Sequence, residues 1–108
     1  MNASEVIRAA AAAARNLVQD ASGKTFLKLT REFVSALAQV PDLPAADFTA
    51  IEIEQLSATA DHVIAAIERR IDGGTDRSAV QQDLAANIYD IRSRLEEISR
   101  WRRHFLQS

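Results

Sequence analysis

Two long apolar stripes that meet at Gly73-Gly74 restrict this chain more than any other feature of its sequence. Leu84, Ile88, Ile91, Leu95, Ile98, Arg102 and Phe105 recur at spacings of four and three. That spacing marks one buried face of a helix. Val80 extends the stripe back by a turn, and Arg102 alone breaks its apolar character. Upstream, Ile53, Leu56, Ala60, Val63, Ile64, Ile67 and Ile71 repeat the pattern. Glu52, Glu54, Gln55, Asp61, His62, Glu68, Arg69 and Arg70 are expected to face away from it. Neither segment alternates with period two, which argues against strands.

Glycine just past the last periodic residue suits the left-handed conformation that closes a helix. Thr75 or Asp76 is then placed to cap the next helix. A link this short predicts two antiparallel neighbours. Each spans roughly 25–30 residues, or about 40 Å at a rise of 1.5 Å per residue. Helices of that length favour an elongated bundle.

Before the hairpin, Ser4 is the expected N-cap, with Glu5 in the first turn where the helix dipole favours negative charge. Six alanines, Ala9 to Ala14, lie between Arg8 and Arg15. Val6, Ile7, Ala10, Ala14, Leu17, Val18 and Ala21 form a small apolar face that packs closely. Phe26, Leu29, Phe33, Leu37 and Val40 form a second stripe, out of phase with the first, so Gly23 is read as the break between two helices. Lys24, Lys28 and Arg31 make a short basic row, with Glu32 four residues after Lys28. Pro41 and Pro44 stop the second helix near Gln39, and Phe48 anchors the entry to the hairpin.

The expected architecture is all-α: a small antiparallel helical bundle of three or four helices with a long central helical hairpin. Its helices are placed at 4–21, 24–39, 45–72 and 76–106 within one domain, 1–108. No second domain, repeat or flexible linker is visible.

Composition sharpens this. Hydrophobic residues make up 47% of the chain, enough for a core. Many are alanines, which favour helix but bury little area. A thin core predicts association, and a homodimer is expected. The net charge of −2 exerts no general pull on nucleic acid or acidic membranes. With no cysteine there is no disulfide or thiolate metal site, which fits a cytoplasmic protein. No apolar run reaches the roughly 18 residues that a membrane span needs. Arg8 and Arg15 interrupt the N-terminal apolar segment, so it does not read as a signal peptide.

Chemistry is harder to find. Di-metal bundles use Glu-x-x-His, but Thr59 precedes His62 and Trp101 precedes His104 at that spacing. Two histidines without cysteine make a poor zinc site. No Gly-x-Ser-x-Gly elbow occurs. Asp72 to Asp76 carries glycines but follows a helix and lacks a phosphate-loop lysine, so it reads as a cap and turn. His62 lies mid-helix on a polar side, the setting in which histidine phosphotransfer domains hold their phosphoacceptor. Ala65 and Ala66 stand where those domains commonly place a cation and a glycine. Lacking that cation, a phosphoryl group loses a charge-assisted partner.

At the C-terminal end, Arg100, Trp101, Arg102 and Phe105 interleave cations and aromatics. Such residues suit a helix C-terminus, a protein-binding hot spot or a base-stacking surface. Phe26 and Phe33 either join them at an interface or fill the core. The sequence thus points to a non-catalytic protein–protein interaction module, an adaptor, chaperone-like or assembly protein that self-associates through helix packing. A His62 phosphotransfer bundle is the first alternative. A weak nucleic-acid binder using the basic, aromatic C-terminus is the second. No enzyme activity, cofactor, metal, small-molecule substrate or membrane partner is expected.

Overall fold

The first helix begins where a side chain can accept an otherwise unpaired amide. The Glu5 N–H donates to Asn2 Oδ1 at 3.0 Å, and α1 runs Ala3–Arg15. Asn2, rather than Ser4, is therefore the N-cap. The computed structural model describes residues 2–106, and among these no strand occurs. After α1 come α2 (Gly23–Gln39), α3 (Ala50–Gly73) and α4 (Ser78–Leu106).

Several further boundaries differ from the sequence expectation, among them the start of α4 at Ser78 instead of residue 76. Helix α1 stops at Arg15 instead of reaching residue 21. The chain that follows is drawn onto α3, where Gln19 Nε2 donates to the Ala66 carbonyl at 2.9 Å. Gly23 does not end a helix; it is the first residue of α2, behind the Ser22 cap whose Oγ accepts from the Thr25 N–H at 3.2 Å. Helix α3 starts at Ala50, not Ala45, because Thr49 and Glu52 close a capping box: Glu52 N–H to Thr49 Oγ1 at 3.1 Å, Thr49 N–H to Glu52 Oε1 at 3.0 Å. Residues between the two prolines and this cap form two short 3-10 turns, Val40–Asp42 and Ala45–Asp47.

The glycine stop falls where the sequence places it. Gly74 caps α3 with φ of +66°, a left-handed backbone that an L side chain rarely adopts.

The four helices pack against each other as a small bundle with extents of 48 × 21 × 18 Å. Its closest pairs are α1 with α2, α2 with α4, α3 with α4, and α1 with α3. The long axis matches α4, whose 29 residues span about 43 Å. Phe26, Phe33, Leu37, Val63, Ile67, Leu84 and Ile91 are fully buried. Leu84, Ile91 and Ile98, seven residues apart, are the innermost positions of the α4 stripe.

One polar pair crosses this core. Asn87 Nδ2 on α4 donates to Thr30 Oγ1 on α2 at 2.8 Å, and the Thr30 hydroxyl donates to the Leu27 carbonyl at 2.8 Å. Satisfied in this way, the two side chains avoid the penalty of an unpaired buried polar group. No buried side-chain polar atom lacks a partner among the described residues. No described helix is long and apolar enough to cross a membrane.

Candidate binding groove

An open groove of about 690 Å³ runs between α1 and α2. Its apolar lining is mostly alanine: Ala9, Ala12 and Ala13 from α1 and Ala36 from α2, with Leu27 as the one larger apolar side chain. Lys24, Lys28 and Arg31 line it from the α2 side, at spacings of four and three that put them on one helix face. Glu32, Ser35, Asn16 and Gln39 complete the lining. The alanine run and the basic row stand apart in the sequence, and the tight α1–α2 packing brings them together.

A buried cluster joins the α1–α2 connection, α2 and the α3–α4 turn. Arg70, expected to face solvent, is buried at the end of α3. Its Nε donates to Asp76 Oδ2 at 2.7 Å and its Nη2 to Asp76 Oδ1 at 3.0 Å, a bidentate pair whose side chains are only 8% and 7% exposed. Its Nη1 donates to the Gln19 carbonyl in the α1–α2 connection. Below it, the Phe26 ring of α2 lies 5.1 Å from the guanidinium carbon. One side chain thus ties the connection, α2 and the α3–α4 turn to α3. The hydrogen bond from Arg70 holds the Asp76 carboxyl below the usual carboxylate range, against the opposing effect of burial. Asp76 therefore serves Arg70 instead of capping α4, which starts two residues later.

This cluster explains the glycine at position 23. A Cβ there would lie 2.6 Å from Asp76 Oδ1 and 3.4 Å from Val80 Cγ1. The carboxylate cannot swing away without breaking its bonds to Arg70. Gly23→Ala is expected to lower stability by about 1–3 kcal/mol, the usual range for forced overpacking. In an Asp76→Ala background most of that loss should vanish. Urea denaturation of the four proteins in the cycle measures it, and additive losses would mean that the two residues do not clash.

The residues singled out from sequence fall in separate places. Trp101 is half-buried and meets the Phe48 ring edge-on, with centroids 5.9 Å apart and planes at 88°. Arg102 is half-buried as well. Arg100 is exposed and lines a shallow cleft with Leu95, Glu96, Ser99 and Arg103. The side chains of His104 and Phe105 lie outside the described residues. Phe26 and Phe33 are core residues, fully buried.

His62 is exposed on α3 and borders a small cleft with Ala58, Thr59, Ala11, Ala14 and Arg15. Arg15 of α1 lines the same cleft as His62. No group of three or more histidine, cysteine or acidic side chains suited to a metal occurs among the described residues.

No protein-family model matches the chain, and neither a curated protein nor a solved structure does.

Proposed function

We propose that this chain is a non-catalytic interaction module, built on an antiparallel α3–α4 hairpin, that receives a helix of another polypeptide in the α1–α2 groove. The groove itself is the observation that supports this reading. An alanine floor lets a guest backbone approach to the lower end of the usual 8–10 Å interaxial range. The cationic wall orients the guest by charge. The α1 alanines bury little area within their own bundle, so a packed guest would add to it.

The test uses Ser35→Cys, an exposed groove position, carrying an environment-sensitive fluorophore. Titration with a synthetic amphipathic helix, with an alanine–leucine face flanked by glutamates, should give a saturable emission change. Ala9→Trp fills the groove from another exposed position. It should weaken binding at least about tenfold, comparable to losing one well-packed contact, with helical content unchanged. Equal affinity in that variant would remove the groove as the binding surface.

A further inference from the structure

We infer that the occupant of this groove is helix α3 of a second copy of the chain. The inference rests on the helix-binding reading above and names the partner for it. Along α3, Glu54, Ala58, Asp61, Ala65, Glu68 and Asp72 follow one another at spacings of four and three. All are exposed except Ala65, which is half-buried. This outer stripe of acids separated by alanines complements a groove lined by alanines and by Lys24, Lys28 and Arg31, whose three positive charges outweigh the single acid, Glu32, beside them.

Both sides carry charge that their own chain does not neutralise. Lys24 and Lys28 have no ion-pair partner among the described residues, and neither do Glu54 and Asp61. Arg31 reaches Asp83 at 3.4 Å, and Glu68 reaches Arg92 at 3.9 Å. All four of those side chains are more than half exposed, so the contacts are weak and exchangeable.

The spacing also matches. Lys24 and Arg31 are seven residues apart, as are Glu54 and Asp61, and Asp61 and Glu68. Seven residues rise about 10.5 Å on a helix. Two successive acids therefore meet both ends of the cation row in a single register. A net charge of −2 leaves little repulsion between copies to oppose this. Each copy carries both halves of the contact, so copies join either as a closed reciprocal pair or head to tail.

The experiment is light scattering over a concentration series at low and high salt, on wild type and two charge-reversed proteins. One carries Lys24→Glu and Lys28→Glu in the groove wall; the other carries Glu54→Lys and Asp61→Lys on the stripe. All four positions are exposed, and circular dichroism checks that each protein is folded. The single reversals Lys28→Glu and Asp61→Lys stand in for any double variant that is not.

Wild type should associate to twice the chain mass or more, less tightly as salt rises. Each reversed protein alone should associate at least about 100-fold more weakly, since like charges face each other. An equimolar mixture of the two should associate again, because every contact then pairs opposite charges. A wild-type monomer up to on the order of 1 mM overturns the inference. So does association that ignores the reversals, or a mixture that stays monomeric. If the protein stays monomeric yet the labelled groove still binds the synthetic acidic helix, the groove reading stands and only the second-copy assignment falls.

Discussion

Replacing Asp76 with asparagine should destabilise the fold by about 3–5 kcal/mol, because it removes the carboxylate bonded to a buried guanidinium and leaves only the more distant charge of Asp20. For a chain of this length, at roughly 4 °C per kcal/mol, the melting temperature would fall by about 12–20 °C. Such a loss is a large part of the 5–15 kcal/mol typical of a small domain. The effect is this large because Arg70 cannot move to water: Phe26 lies below it and the Gln19 carbonyl beside it. Removing both charges, as in Arg70→Met with Asp76→Leu, should recover much of the loss. Urea denaturation of wild type and the two variants measures this. A loss under about 1 kcal/mol in Asp76→Asn would mean the pair does not hold the helices together.

The same pair sets a pH dependence. The folded Asp76 carboxyl titrates below its unfolded value, so the folded state binds this proton less readily than the unfolded state. Its contribution is fully present above the unfolded value, about 3.9, and is lost as pH falls through the lower folded value. Wild type should therefore lose an increment of stability on acidification below about pH 4 that Asp76→Asn does not show. Equal acid sensitivity of the two proteins would assign that loss to other carboxylates.

The second large effect is expected at Phe33. Its side chain is fully buried on α2, so Phe33→Ala removes apolar burial and leaves a cavity, at a cost of about 3–5 kcal/mol. Phe33→Leu, which keeps most of the volume, should cost clearly less. From sequence this ring stood equally well for core or interface. A Phe33→Ala protein with near wild-type stability but impaired association would return it to the surface. Association should otherwise change only in step with unfolding.

The helices themselves were legible, for a local reason. The four-and-three spacing of apolar residues in α3 and α4 records which side of each helix is buried, whatever it packs against. Gly74 and the two prolines act through backbone sterics alone, so they punctuate the chain without reference to its fold. Even the start of α3 was open to reading: Thr49-Ala50-Ile51-Glu52 is a capping-box pattern. Arg70 follows Val63 and Ile67 at spacings of four and three, on the buried stripe. Its charge made it look like a surface residue.

The tertiary structure decided what depends on groups remote in sequence. Arg70 is tolerated inside because Gln19, 51 residues earlier, and Asp76 converge on it. Helix α1 ends early because its connection is held on α3. Thr30 is satisfied by Asn87, 57 positions away. The alanines of α1 and the cations of α2 become a groove only when those helices meet. Periodicity reports the burial of one segment at a time. Pairing of buried charges and the shape of a surface arise between segments, and no single stretch of the chain contains them.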